Sequence, residues 1–283
     1  MEIKSLSQIP FDQIYEAFSQ AFVDYEMQLS KQQLQSMLNR RGFVPELSVA
    51  AFDKGSIVAF TFNGIGNFKE RPTAYDTGTG TIKAFRGQGL ATKLFKHAIP
   101  ILKATGIEQY LLEVLQHNSP AVSVYQKLGF EISREFNYFI QERKQVNLKR
   151  PASDTSYRIQ PISLATCRQL SKFGDVSPSW QNTFDAIERK PDDFKIFAAQ
   201  LNQKIVGYCI LEVRSGDLSQ FAVAKNHRRK GVGSLLFQEA LNWNQNDSIK
   251  IINAEVSCDS LTRFLKSKNM LVTGKQFEMI RQL

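Results

Sequence analysis

A short basic turn with two glycines is the first segment of this sequence whose residue types could do chemistry. Residues 86–91 read Arg-Gly-Gln-Gly-Leu-Ala and lie between strand-like sequence and a predicted helix. A helix start leaves about four backbone N–H groups without partners and carries roughly half a positive charge. Because Gly89 and Ala91 have little or no side chain, an anion such as phosphate can approach this backbone closely. The structural alternative is an ordinary strand–helix turn with a solvated basic face.

Two common phosphate-binding patterns do not fit this turn. No Gly-Lys-Ser/Thr follows it, as a Walker A loop requires, and Gly87-Gln88-Gly89 lacks the third glycine of a dinucleotide fingerprint. The three histidines have no metal-type spacing, and we predict no metal site.

The same kind of turn occurs a second time. Residues 228–233 read Arg-Arg-Lys-Gly-Val-Gly, and Arg228 lies 142 positions after Arg86. A Glu-Val pair repeats at the same offset of 142, at Glu113 and at Glu255. Two matches at one offset indicate a duplicated domain, which at about 140 residues is too long for a solenoid repeat.

The elements that must position these turns follow from the hydrophobic pattern. Each half reads as helix, antiparallel meander, then strand–helix–strand–helix, which predicts a mixed α/β fold of two tandem domains, each with a mostly antiparallel sheet. In the first half we predict helices over 8–40, 88–104 and 120–128, and strands over 47–52, 57–62, 75–85 and 110–115. In the second half we predict strands over 194–200, 205–213, 218–224 and 250–256, with a helix from Val232. The predicted domains are 1–142 and 157–283, joined by a polar linker over 143–156.

Composition bounds the class of protein. A hydrophobic fraction of 42% and a charged fraction of 22% are ordinary for a globular chain and argue against disorder, collagen or coiled coil. The net charge of +9 suits anionic ligands, but it is spread over both halves, and a nucleic-acid partner is not expected. No apolar run approaches the roughly 18 residues of a membrane helix, and the N-terminus lacks a signal peptide. With only three widely spaced cysteines, we predict a cytoplasmic protein without a membrane partner.

A second motif follows the first turn. Residues 110–130 contain a strand with Glu113, then Asn118 at its exit, then a helix with Tyr125. With this segment the chain resembles the GNAT superfamily of N-acetyltransferases. The family motif Arg/Gln-x-x-Gly-x-Gly/Ala is matched at Arg86, Gly89 and Ala91, and again at Arg228, Gly231 and Gly233. The family motif Asn-x-x-Ala-x-x-x-Tyr-x-Lys-Leu-Gly-Phe is matched at Asn118, Ala121, Tyr125, Lys127, Leu128, Gly129 and Phe130.

The resemblance implies an acyltransferase that uses acetyl-coenzyme A as acetyl donor and no metal. The acceptor is a primary amine of a small molecule or protein, which attacks directly in a ternary complex. The cofactor lies where two parallel strands splay apart, with its diphosphate at the basic turn and its pantetheine arm beside the preceding strand. The cofactor-binding residues so implied are Thr79, Gly80, Thr81, Arg86, Gly87, Gln88, Gly89, Leu90, Ala91, Thr92 and Asn118 in the first half, and Phe221, Ala222, Val223, Arg228, Arg229, Lys230, Gly231, Val232, Gly233 and Ser234 in the second.

Two catalytic residues are implied as well. An amine with a pKa of about 10.4 must lose a proton before it attacks, which requires a base. Glu113 matches the position of the base in some family members, and Asp76 and Glu70 are competing candidates. Tyr125 matches the family acid that protonates the leaving thiolate, while its structural alternative is a helix aromatic packed on the sheet.

The second half departs from the family pattern after Glu255. Tyr125 corresponds to Ser267 at an offset of 142, or to Leu265 if two residues are deleted, and neither residue is a tyrosine. No asparagine stands clearly where Asn118 does. We therefore predict that the second half binds coenzyme A but acetylates poorly or not at all.

The sequence leaves the acceptor amine and the oligomeric state open. Acceptor residues are expected in the variable segments 20–45, 63–75 and 171–195. There, Phe22, Tyr25 and Phe68 could line an aromatic pocket, and Asp24 and Glu26 could attract a cationic acceptor. The alternative function is an acyl-coenzyme A sensor or interaction module without transfer activity.

Overall fold

The computed structural model describes residues 1–24, 28–148 and 156–283 and forms two compact units. The N-terminal unit comprises Met1–Arg134 together with Phe277–Leu283, and the C-terminal unit comprises Glu135–Gln276. Tyr25, Glu26 and residues 149–155 of the predicted linker lie outside the described residues.

The secondary structure follows the predicted order in both halves. The first half contains β1 (Glu2–Ser5), α1 (Phe11–Ala21), α2 (Lys31–Arg41), β2 (Val49–Asp53), β3 (Ser56–Phe68), β4 (Arg71–Thr81), α3 (Leu90–Ala104), β5 (Gln109–Leu115), α4 (Ser119–Lys127) and β6 (Glu131–Glu142). The second half contains β7 (Arg158–Pro161), α5 (Leu164–Gln169), α6 (Phe184–Glu188), β8 (Phe194–Leu201), β9 (Lys204–Glu212), β10 (Asp217–Val223), α7 (Val232–Trp243), β11 (Ser248–Glu255), α8 (Asp259–Ser267) and β12 (Val272–Gln282).

The sheet of the N-terminal unit has the order β1-β2-β3-β4-β5, followed by the end of β12 and the start of β6. The pairs from β1 to β4 are antiparallel, whereas β4 and β5 are parallel. The C-terminal unit has the order β7-β8-β9-β10-β11, followed by β6 and the start of β12. Its β10 and β11 are its parallel pair, and the mixed, mostly antiparallel α/β sheet expected from the sequence is confirmed.

Strands β6 and β12 make the compact units differ from the sequence domains 1–142 and 157–283. Each strand begins in one unit and ends in the other, and the end of β12 therefore belongs to the N-terminal unit. There, Met279 is fully buried in the core, and the buried Glu278 accepts hydrogen bonds from Arg134 at 2.9 and 2.5 Å. A carboxylate with no exposed surface requires such a partner, and the C-terminal strand is thereby fixed within the N-terminal unit.

Helix α3 shows how local sequence positions the site. Its buried residues recur three and four positions apart and face the core of the N-terminal unit: Leu90, Leu94, Phe95, Ala98, Ile99 and Leu102. Gly89 caps its start and Gly106 follows its end, both in the left-handed conformation that glycine adopts without strain. The apolar stripe therefore fixes α3 on the sheet, and the glycines fix where the helix begins and ends.

Two predicted elements end at different residues. The helical region 8–40 consists of two helices, because Ser30 and Gln33 form a capping box that starts α2. The strand predicted over 75–85 ends at Thr81, because Lys83–Phe85 forms a 3₁₀ turn that leads into the basic turn.

Candidate active site

A cleft opens where β4 and β5 separate. The two strands pair in parallel over only three positions, Thr73–Tyr75 with Gln109–Leu111. Beyond Tyr75, β4 contains a β-bulge: Asp76 and Gly78 pair with consecutive residues of β3, which leaves Thr77 as the extra residue. A bulge bends its strand and raises the local twist. The backbone of Thr79–Thr81 therefore has pairing partners on β3 but none on β5, as a splayed parallel pair requires.

The helix start next to this cleft is open. Gly87 and Gly89 have φ of +78° and +69°, and a Cβ built on either would meet no atom within 4 Å. No side chain caps the first turn of α3, and this turn carries no acidic residue. The helix start is therefore uncapped and unobstructed at Gly87 and Gly89, as the approach of a phosphate requires.

Arg86 holds this turn in place. Its guanidinium donates to the Thr81 carbonyl at 3.2 Å, to the Ala21 carbonyl at 2.8 Å and to Asp24 Oδ2 at 3.0 Å. The hydrogen bonds from Arg86 and Lys83 lower the pKa of Asp24. Arg86 therefore links the end of β4 to the end of α1, and the carboxylate of Asp24 is engaged by cations of its own unit.

Asn118 and Tyr125 lie on the far side of the cleft, at α4. Asn118 caps the helix, with its Oδ1 accepting from the Ala121 N–H at 3.4 Å. The half-buried ring of Tyr125 makes edge-to-face contacts with Phe95 and Phe130, at centroid distances of 5.6 and 5.9 Å. These contacts orient the ring, which packs on the core as its structural alternative predicts and remains partly accessible.

Glu113 lies on β5 two residues past the last pair with β4, where the strands have begun to separate. Its Oε2 accepts a hydrogen bond from the Tyr75 hydroxyl at 3.0 Å. Burial, and then the charge of Glu113, raise the pKa of Tyr75 well above its usual value, which keeps this phenol a donor. The guanidinium of Arg41 lies 6.0 Å from the Tyr75 ring and donates to the Thr77 carbonyl at 3.1 Å.

The sequence interpretation missed Tyr75 and Arg41. The only available signal for Tyr75 was its place in the same strand as the cofactor backbone, because its pairing with Leu111 brings it beside Glu113. Arg41 lies at the end of a helix about 35 residues away in sequence, and no local pattern connects it to the cleft.

The competing base candidates lie in different places. Asp76, 8% exposed, accepts hydrogen bonds from the Gly78 N–H at 3.0 Å and from the Thr79 hydroxyl at 2.9 Å. Burial raises the pKa of Asp76 to about 7, although these hydrogen bonds act in the opposite direction. Asp76 thus makes its hydrogen bonds to residues on the other side of the bulge in the same strand. Glu70 is exposed in the β3–β4 turn, away from the cleft, and His97 and His117 are exposed as well.

The C-terminal unit repeats the arginine contacts of the first turn. Arg228 donates to the Val223 carbonyl at 2.9 Å, to the Phe173 carbonyl at 3.1 Å and to Asp175 at 2.8 and 3.0 Å. These are the same three kinds of acceptor that Arg86 contacts: the last residue of a strand, the last residue of a helix and an aspartate. The duplication therefore extends to contacts that the sequence repeat does not display.

A comparison of helices α4 and α8 shows which residue of the second half corresponds to Tyr125. Helix α8 begins 140 positions after α4. The N–H of Met270 donates to the Leu265 carbonyl at 3.0 Å, as that of Phe130 does to Tyr125 at 3.0 Å. Tyr125 therefore corresponds to the fully buried Leu265 rather than to Ser267. Cys258 takes the place of Asn118 with nearly identical dihedral angles, but it provides no side-chain cap.

Comparison with known proteins gives the family. The model of the acetyltransferase (GNAT) family matches residues 11–130 and 163–263, in both sequence halves. The chain belongs to the GNAT acetyltransferase family. The two matched regions, one in each half, show that the GNAT domain occurs twice in the chain.

Two curated relatives are N-alpha-acetyltransferases. The chain is 31% identical to N-alpha-acetyltransferase MAK3 of Arabidopsis thaliana over 118 residues, which are 40% of this chain and 62% of that protein. It is 37% identical to N-alpha-acetyltransferase 30 of Schizosaccharomyces pombe over 60 residues, which are 21% of this chain and 40% of that protein. The GNAT chain thus spans less than two thirds of these relatives.

Solved structures share the fold at low identity. A tandem GNAT protein from the clavulanic acid biosynthesis pathway has a TM-score of 0.73 at 12% identity, covering 99% of this chain and 98% of that one. A putative acetyltransferase from Pyrococcus horikoshii has a TM-score of 0.70 at 14% identity, covering 100% of this chain and 89% of that one.

Within residues 1–24, 28–148 and 156–283, no group of three or more histidine, cysteine or acidic side chains is placed to hold a metal ion. None of the helices in the described part of the chain has the length and apolar character that crossing a bilayer requires.

Proposed function

We propose that the N-terminal unit transfers an acetyl group from acetyl-coenzyme A to a primary amine of a small molecule or protein. One observation supports this most: the cleft between β4 and β5 has an open helix start at Gly89 on one side and both Glu113 and Tyr125 at its borders. The reaction requires a binding site for the anionic cofactor and two side chains that can accept or donate a proton.

The N-terminal unit has the groups needed to hold coenzyme A. The backbone N–H groups from Gly87 to Thr92 would bind the diphosphate, because nothing within 4 Å of the Cβ positions of Gly87 and Gly89 obstructs the approach. The strand backbone of Thr79–Thr81, which lacks partners on β5, would bind the amides of the pantetheine arm. When bound, acetyl-coenzyme A supplies the thioester carbonyl that the amine attacks.

Glu113 and Tyr125 move the two protons of the reaction in this proposal. The carboxylate of Glu113 accepts a proton as the amine forms its N–C bond, and the hydrogen bond from Tyr75 holds that carboxylate in position. The hydroxyl of Tyr125 donates a proton to the sulfur as the C–S bond breaks. Direct attack needs no covalent intermediate on the protein.

A peptide α-amine is the acceptor to test first. The two curated relatives are named for acetylation of α-amines, which is a property of those proteins that we extend to this chain as a proposal. Asp24 does not serve a cationic acceptor in this scheme, since Arg86 and Lys83 already contact its carboxylate.

The proposal is tested by thiol release from acetyl-coenzyme A with a panel of N-terminal peptides and small amines. We expect Tyr125→Phe and Glu113→Gln to lower kcat by at least about 100-fold, the lower end of general acid–base contributions. Glu255→Gln, at the matching position of the other half, is the control and is expected to retain wild-type activity. Binding of the cofactor without thiol release on any amine would favour the sensor alternative instead.

A further inference from the structure

The C-terminal unit has a cleft of its own between β10 and β11. The two strands pair in parallel at a single position, Asp217 with Lys250. Strand β10 has a register shift between Leu218 and Gln220 where it pairs with β9. The strands therefore separate as β4 and β5 do. The side chains that lie between β10 and β11 decide whether a ligand can bind there.

Two aromatic rings occupy the helix side of this gap. Phe221 of β10 stacks on Phe264 of α8 at 5.2 Å and 21°, and Phe264 also makes an edge-to-face contact with Phe237 at 5.7 Å. A Cβ built on Gly233 would lie 3.3 Å from the Phe264 ring and 3.7 Å from Phe221. The rings therefore lie against Gly233 in the first turn of α7, the segment that would have to receive the diphosphate and the adjoining arm.

The corresponding positions of the N-terminal unit carry no rings. Thr79 corresponds to Phe221, at the offset of 142 that relates the two turns. Val124 corresponds to Phe264, at the offset of 140 that relates α4 to α8. Ala91, the counterpart of Gly233, carries a side chain at this position and is partly exposed. The aromatic pair is thus specific to the C-terminal cleft.

Asn182 bridges the separated strands. Its side-chain amide donates to the Ile252 carbonyl of β11 at 2.9 Å, and its backbone carbonyl accepts from the Gln220 side chain of β10 at 2.7 Å. Asn182 is 4% exposed, and its neighbour Trp180 is 2% exposed. Asn182 therefore connects the β11 backbone to the Gln220 side chain of β10, within the gap that the amides of a ligand arm would have to enter.

A third link joins the ends of the two strands. Asp175 accepts hydrogen bonds from Arg228, after β10, and from the Ser260 hydroxyl of α8 at 2.7 Å. Pro120 lies at the Ser260 position of α4 and has no hydroxyl to form such a link. The carboxylate of Asp175 thus connects the basic turn to the helix on the opposite side of the cleft.

We infer that the C-terminal unit binds no coenzyme A, because its own side chains fill and bridge the cleft between β10 and β11. This inference replaces the sequence-based prediction of a second cofactor site over Phe221–Val223 and Arg228–Ser234. It goes beyond the proposed function by limiting the full chain to one coenzyme A, held by the N-terminal unit.

Hydrogen–deuterium exchange of the full chain, with and without coenzyme A, tests the two units separately. At about 100 times the dissociation constant, amides that exchange only from the free form slow by up to about 100-fold. We expect this protection over 86–95 and none over 228–237. Protection over 228–237 would overturn the inference, whereas lack of protection over 86–95 would contradict the proposed function and leave the inference supported.

Titration calorimetry gives an independent count. We expect one coenzyme A per chain, and a count of two would overturn the inference. Phe264→Val, which introduces the residue found at Val124, is expected to speed exchange of the first-turn amides of α7 while leaving the N-terminal affinity unchanged. Unchanged exchange in α7 would show that the ring does not cover this turn and would also overturn the inference.

Discussion

Replacing Gly89 by alanine tests the open helix start most directly. The variant keeps the chain neutral at this position and adds a single methyl group at the start of α3. Because the added Cβ would meet no atom within 4 Å, it causes no clash with the protein and projects into the space assigned to the diphosphate. The substitution therefore separates ligand approach from folding better than a larger side chain would.

The Gly89→Ala variant is expected to lose both stability and affinity for coenzyme A. Gly89 has φ of +69°, and an alanine held in this left-handed region costs roughly 1–2 kcal/mol of stability. Hydrogen bonds to a charged group contribute about 1.5–3 kcal/mol each, and loss of one such bond corresponds to a roughly 10- to 150-fold weaker affinity for coenzyme A. We therefore expect KM for acetyl-coenzyme A to rise by about that factor while the fold is retained.

Gly106→Ala is the matched control. Gly106 follows the other end of α3 with φ of +83°, and its Cβ would also meet nothing within 4 Å. The two variants should lose similar stability in urea unfolding, but only Gly89→Ala should raise KM for acetyl-coenzyme A. Equal KM values for both variants would refute the assignment of the diphosphate to this turn.

Three further perturbations test the surroundings of the cleft. Tyr75→Phe removes the hydrogen bond to Glu113 and should lower kcat by about tenfold in the thiol-release assay, with KM for acetyl-coenzyme A unchanged. Burial raises the pKa of Asp76 to about 7, and the folded state therefore favours the protonated form and loses stability as pH rises from about 4 to 7. Asp76→Asn should remove this loss. In urea unfolding, the free energy of unfolding of the variant minus that of the wild type should therefore increase as pH rises over that range. Glu278→Leu leaves the buried Arg134 without its carboxylate and should cost about 3–5 kcal/mol, whereas adding Arg134→Met should recover most of that loss.

The sequence carried enough information for the meander and the glycine turn, because each depends on local patterns, whereas the splayed strand pair was expected only from the resemblance to the GNAT family. Glycines at a helix start and alternating apolar residues in strands are local signals, and they placed Gly89 correctly at the start of α3. The duplication was visible for the same reason, since Arg86 and Arg228 lie in similar local sequence.

The parts that escaped prediction depend on contacts distant in sequence. The sequence from Glu131 to Glu142 is compatible with a strand, but nothing local specifies which strands it pairs with. Likewise, the motif over 228–233 survives in the second half, whereas the residues that fill its cleft, Asn182 and Phe264, come from segments far away in the chain. A preserved motif therefore did not reveal whether the space next to it is preserved.

The placement of Phe277–Leu283 within the N-terminal unit also constrains biosynthesis. That unit cannot be completed until Leu283 has left the ribosome, after all of Glu135–Gln276 has been synthesised. A nascent chain therefore holds β5, the strand of Glu113, without its β12 neighbour throughout translation of the second half. Unpaired strand edges favour aggregation, which makes this interval the one in which a chaperone would matter most for the yield of folded protein.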